Sequence, residues 1–311
     1  MKSDIYNFDK RLSAIQERIK KSSMPVKSKS MIRKFETDCF ASGLGICRVE
    51  KYLNALKTIA EMIRVPLGDA DKDDLKRFLA KIEKSDWSSW TKHDYRVTLK
   101  KFYTWSGKTD MISWIKAGKS HSEKLPEELL TFEEVQEIIS AASGQEDRAL
   151  FYCMWESGCR IGELLTLQVK NCFFDSIGVK IIVSGKTGMR RVRLIDSAPA
   201  LDECIDGRAG DKRVWELDYG ALSMKLKRAA VKANIRKRVY PHLFRHSRAT
   251  FLASHLTEAQ MCNYLGWVMG SGMPRIYVHL SGDDLDMAMV KLSTSNNAVQ
   301  TVKDGILIKP H

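Results

Sequence analysis

Apolar residues recur every three to four positions through most of the chain, the spacing of a helix face. Residues 1–25 read as a charged lead-in helix ending at Met24-Pro25. From Val26 to Trp105 the pattern stays helical, with polar breaks at Ser42-Gly43, Pro66-Leu67-Gly68 and Lys84-Ser85-Asp86. Tyr52, Leu53, Leu56, Ile59, Ala60 and Ile63 form one apolar face; Val97, Leu99, Phe102, Tyr103 and Trp105 form another. The latter follows Lys92 and Arg96 and encloses Lys100 and Lys101, so residues 26–106 predict a small helical domain whose last helix is basic and aromatic. Residues 107–125 are polar and predict a linker. Thr131 and Glu134 then have the spacing of a capping box, opening a helical run to Gly158 that resumes from Arg160 to Leu167. Strand signal is confined to Gly178–Val183 and Arg191–Ile195, which flank a Gly-Lys-Thr-Gly turn and predict a hairpin. Leu222 to Met289 is helical again. The fold class expected is therefore mostly α with a small antiparallel sheet: a second domain over 126–290, then a tail over 291–311.

Length and charge narrow the function. At 311 residues two domains are expected, and 44% apolar residues suffice for a real core. No apolar run is long enough to span a membrane. The start MKSDIYNFDK is too charged for a signal peptide, so the expected location is the cytoplasm. Seven cysteines without a C-x-x-C pair argue for reduced core thiols and against a zinc finger or disulfide framework. A net charge of +13 points to a polyanionic partner, most commonly nucleic acid.

The chemistry concentrates in four places. Residues 225–248 hold nine Lys or Arg and no carboxylate. Such a run is ordinarily a solvated face, but here Pro241 suits the first position of a helix and His242, Arg245, His246 and Arg248 fill its first turns. Cations there oppose the helix dipole, which makes sense if an anion docks; His242 and Arg245 share one face. Arg160 opens a helix in apolar surroundings after Gly158, with Glu163 three residues on as a structural partner. Lys186 sits at the hairpin tip, where a lysine is usually only solvated. Trp267 and Tyr277 close the set, each read alone as packing.

Their order carries more than any one of them. Cys159-Arg160-Ile161-Gly162-Glu163-Leu164, Gly185-Lys186-Thr187-Gly188, His242-Leu243-Phe244-Arg245-His246, Leu265-Gly266-Trp267 and Tyr277-Val278-His279 follow one another across about 120 residues. This order resembles the tyrosine recombinases, the phage-type integrase family. The resemblance runs from about Leu125 to Met289 and, more weakly, through Trp90–Trp105, which looks like the end of the family's core-binding domain. Two departures stand out. Trp267 occupies a place most often held by His, and the stretch from Trp267 to Tyr277 is about one residue longer than the common pattern, which predicts a local bulge.

The resemblance implies a two-domain C-shaped clamp on double-stranded DNA and an enzyme that cuts and rejoins strands through a 3′-phosphotyrosine and a Holliday junction. Tyr277 would be the nucleophile; Arg160, His242 and Arg245 would hold the phosphate, with His242 also taking the Tyr277 proton. Lys186 would be the general acid and Trp267 a positioning group, with Glu163 as structural support. No metal, ATP or other cofactor is implied. Lys92, Arg96, Lys100, Lys101, Arg190 and Arg191 are expected phosphate contacts. Four protomers would act on two duplexes, with Gly305-Ile306-Leu307-Ile308 in the tail as a contact to a neighbour. A type IB topoisomerase and a non-catalytic DNA-binding protein remain as alternatives.

Overall fold

The computed structural model describes residues 4–116, 128–185 and 187–280. These divide between two compact units, residues 6–116 in one and residues 4–5 with the rest in the other.

The first unit is helical: α1 (Phe8–Lys21), α2 (Val26–Ala41), α3 (Ile46–Ile63), α4 (Lys72–Glu83) and α5 (Ser89–Trp105). The breaks after α2, α3 and α4 coincide with the three expected polar interruptions, and the break after α1 with the expected end of the lead-in helix near Met24-Pro25. The Asp71 side chain accepts from the Asp74 N–H and Asp74 answers to the Asp71 N–H, a reciprocal cap that fixes the start of α4. The core is a single cluster around Phe35, Leu53, Leu56, Ile59, Leu99 and Phe102. Ile15 and Ile19 of α1 belong to it, so the lead-in helix is part of the helical unit. Ile112 and Ile115 belong to it as well, so the chain after α5 is packed as far as Ile115; the rest of the expected linker, from 117, lies outside the described residues.

The second unit is mostly helical: α6 (Phe132–Ser140), α7 (Gln145–Ser157), α8 (Ile161–Leu165), α9 (Ala198–Ile205), α10 (Tyr219–Lys232), α11 (Pro241–Ala253), α12 (Glu258–Leu265) and α13 (Met273–Leu280). The expected capping box opens α6, with Thr131 accepting from the Glu134 N–H. Between α8 and α9 lies one antiparallel sheet in the order β1 (Cys172–Asp175), β2 (Gly178–Gly185), β3 (Gly188–Leu194). Gly185 pairs with Gly188 across the hairpin. Val179, Ile181 and Val183 of β2 are buried with Val192 and Leu194 of β3, so one face lies on the helices. The fold class is thus mostly α with a small antiparallel sheet. Two elements lie outside the expected pattern. One is β1, whose Phe173 and Phe174 are exposed; the other is α9, which begins at Ala198-Pro199.

All seven cysteines are free, and Cys39, Cys153, Cys159, Cys204 and Cys262 are buried. No described helix is long and apolar enough to cross a membrane. The tail over 291–311 lies outside the described residues.

Candidate active site

Two helix ends build the site. α7 stops at Gly158 and α12 at Gly266, both in the left-handed region with φ of 54° and 65°. Glycine is required here on two counts, conformation and space. A Cβ at Gly158 would stand 2.8 Å from Leu265 Cδ2, and one at Gly266 would stand 2.6 Å from Arg190 Nη1.

The last carbonyls of a helix have no partner within it and carry its negative dipole end. At α12 three consecutive ones each hold an arginine. Arg190 Nε donates to Tyr264 O at 2.9 Å, Arg245 Nη2 to Leu265 O at 2.7 Å and Arg160 Nη2 to Gly266 O at 3.2 Å. Arg245 also donates through Nη1 to Gly158 O at 2.6 Å, so the ends of α7 and α12 clamp it. Arg245 is buried. Loss of hydration, followed by the charge of Arg160, brings its guanidinium down to about 10, and it still carries its proton at neutral pH.

One buried carboxylate balances these charges. Glu163 Oε2 accepts from the Arg160 N–H at 2.8 Å, capping α8, and from Arg190 Nη2 at 2.8 Å. Its Oε1 accepts from Arg190 Nη1 at 2.8 Å and Arg160 Nη1 at 3.2 Å. Burial alone pushes the Glu163 carboxyl up, but the hydrogen bonds and charge of Arg190, then those of Arg160, outweigh it and hold the group below its ordinary value. Gly185, at the end of β2, lies against it: a Cβ there would fall 2.2 Å from Glu163 Oε1.

Arg190 therefore differs from the expectation of a phosphate contact. Its side chain is 11% exposed and engaged in the bidentate pair with Glu163, so it is an internal brace. The register explains this, since Arg190 pairs with buried Val183. Arg191, the next residue, is exposed. In the helical unit Lys101 is exposed, whereas Arg96 pairs with Glu83, Lys92 Nζ donates to Glu83 O and Lys100 Nζ to Ile115 O.

Trp267 and Tyr277 lie beside Arg245. Their rings stack at 5.1 Å and 10°, both are buried, and the Arg245 guanidinium lies 5.7 Å over the Trp267 ring. The longer stretch between them closes in a turn, the Ser271 N–H donating to Val268 O, with Gly270 at φ 73°. Burial raises the Tyr277 phenol above its ordinary value, and the charge of Arg245 opposes the shift.

The imidazole beside Tyr277 is that of His246, not His242 as expected. His246 Nδ1 lies 2.7 Å from the Tyr277 hydroxyl, and the rings are 5.9 Å apart. His242, one turn nearer the start of α11, is exposed, and its ring is 6.0 Å from that of His246. Lys186 lies outside the described residues. Its neighbour Thr187 donates to Gly266 O at 3.0 Å, so the hairpin tip reaches the same carbonyl as Arg160.

The phage integrase family matches this chain over residues 128–283, half its length. The tyrosine recombinase XerA of Saccharolobus solfataricus is 22% identical over 289 residues, 88% of this chain and 96% of that protein. The XerA of Pyrococcus horikoshii is 25% identical, covering 70% of this chain and 79% of its own. Among solved structures, a XerH site-specific recombinase in a post-cleavage complex with its difH substrate aligns with a TM-score of 0.63 at 20% identity, over 93% of this chain and 97% of that one. A lambda integrase tetramer on a Holliday junction aligns with a TM-score of 0.64 at 20% identity, over 78% and 77%. Fold and sequence together define a tyrosine-type site-specific DNA recombinase. The chain belongs to the phage integrase family.

Proposed function

We propose that the chain cuts and rejoins double-stranded DNA through a 3′-phosphotyrosine at Tyr277, and exchanges strands through a Holliday junction. The observation that supports this best is the packing of Tyr277 on Trp267, within the field of a clamped, charged Arg245. Arg160 and Arg245 stabilise the charge that develops on the non-bridging oxygens in the transition state, and their carbonyl anchors fix them beforehand. His242, exposed on the same helix face, donates to the same oxygens. Lys186 protonates the departing 5′ oxygen. The tyrosyl bond conserves the phosphodiester energy, so rejoining consumes no ATP. Lys92, Arg96, Lys100, Lys101 and Arg191 contact phosphates and make binding salt-dependent. Four protomers assemble on two duplexes, as in the lambda integrase tetramer. The free cysteines fit a reducing compartment, and the cytoplasm is the proposed location.

A nicked duplex that loses its short 5′ fragment after cleavage traps the covalent complex. Adduct on this substrate together with Holliday junctions on intact sites is the expected result. Adduct without junctions favours a topoisomerase-like activity, and absence of adduct favours a non-catalytic DNA-binding protein.

Two variants test individual roles. Lys186→Ala is expected to slow cleavage about 10²–10⁴-fold, and a 5′-bridging sulfur, which leaves without a proton, should restore it. Equal slowness on both substrates would make Lys186 a DNA contact only. Trp267→Phe keeps a ring under Tyr277 and is expected to retain measurable cleavage. Trp267→Ala removes that support, at about 3–5 kcal/mol, and should be crippled. Equal losses in both would assign the effect to the indole N–H.

A further inference from the structure

α11 carries His242, Arg245 and His246, of which the resemblance gives a role to the first two. The spacing of four residues puts His242 and His246 on one helix face. The second histidine lies one turn further along α11, which packs against α13. Its Nδ1 lies 2.7 Å from the Tyr277 hydroxyl, and the two rings lie 28° from parallel. In the tautomer with its proton on Nε2 the imidazole accepts at Nδ1, and the phenol O–H then donates along this contact.

We infer that His246 is the general base that takes the Tyr277 proton during strand cleavage, which leaves His242 to the phosphate. The inference rests on the phosphotyrosine reading above. As the Tyr277 oxygen bonds to phosphorus, its O–H bond breaks and the proton passes to His246 Nδ1. The bond from phosphorus to the 5′ oxygen breaks in the same displacement, and that oxygen leaves with a proton from the general acid. Religation returns the His246 proton to the tyrosine. An imidazole titrates ordinarily near 6.5, close to working pH, which is where a general base is most effective. Burial disfavours a free phenolate at Tyr277, so removing its proton within the attack avoids forming a buried anion first. Tyr277 faces His246 from α13, and on its own helix the His242 ring stands 6.0 Å away.

The test is the rate of covalent adduct formation on a nicked duplex with a 5′-bridging sulfur, from about pH 5.5 to 8.5. Sulfur needs no general acid, so the profile reports nucleophile activation alone. Wild type is expected to slow as pH falls through the ordinary histidine range. His246→Asn keeps an acceptor oxygen near the place of Nδ1 but no base; it should be at least about 10²-fold slower and lose that limb. His242→Gln should be slower and keep the limb. As a second measurement, added imidazole should speed His246→Ala at least about tenfold, the free base replacing the missing ring. A His246→Asn profile that keeps the wild-type limb, or a His246→Ala rate that imidazole leaves unchanged, overturns the assignment. Adduct from wild type in either case separates this failure from that of the phosphotyrosine reading, which falls if wild type forms no adduct.

Discussion

Tyr277→Phe is expected to give no covalent adduct on a nicked substrate and no strand exchange, with DNA affinity unchanged within a few-fold. The substitution removes one oxygen. The ring remains stacked on Trp267, and the hydrogen bond lost to His246 accounts for about 0.5–1.5 kcal/mol of folding stability. Loss of adduct with a nearly native melting curve therefore isolates the nucleophile from the fold. Denaturing gels of the protein–DNA mixture provide the readout. An adduct from this variant would place the nucleophile elsewhere, and Tyr264 is poorly suited to replace it. Its hydroxyl is directed to Glu156 O at 3.0 Å and Arg193 O at 3.2 Å, and burial drives its phenol well above the ordinary range. Tyr264 ties α12 to α7 and β3, so Tyr264→Phe should cost stability before it costs chemistry.

Local chemistry made the expected elements legible. The Thr131 and Glu134 box reports a helix start because both partners of the cap lie within four residues. The hairpin was legible because β-branched runs flank glycines that can turn. By contrast, β1 is four residues long with three consecutive exposed positions, so it shows no period-two burial to detect. Its pairing with β2 defines it. Arg190 shows a different limit. Alternation along β3 places 190 with buried Val192 and Leu194, and 191 outside, so its inward direction was implicit in the hairpin. What the sequence lacks is Glu163 waiting on the inner side, 27 residues earlier. His246 is similar. Its shared face with His242 follows from spacing, but which turn of α11 faces α13 depends on packing. The arginine cradle at the end of α12 is also tertiary, since Arg160, Arg190 and Arg245 arrive there from three separate segments.

That cradle makes Glu163→Gln the substitution with the largest expected effect on stability. The carboxylate accepts four hydrogen bonds, all from Arg160 and Arg190, and its side chain is 2% exposed. Glutamine preserves the shape but turns one acceptor into a donor that faces guanidinium N–H groups, and it leaves Arg190 charged and buried. Removing one partner of a buried pair typically costs about 3–5 kcal/mol. For a domain of this size each kcal/mol shifts the melting temperature by about 2–4 °C, so a fall of about 6–20 °C is expected. The pH dependence follows from the direction of the Glu163 shift. Its folded value is below the ordinary one, so the stabilisation is fully present at neutral pH. It begins to fade as pH falls past the ordinary glutamate value of about 4.3, and is gone once pH has passed the lower folded value. The gap between wild type and Glu163→Gln should therefore be widest near pH 7 and close in acid. Other carboxylates that the fold holds low, Asp175 among them, titrate in both proteins and cancel in the difference. Melting curves from pH 3 to 7 measure it. A gap under about 1 kcal/mol at pH 7, or one that stays constant into acid, would mean that Arg190 finds another partner and that Glu163 does not anchor the arginine cluster.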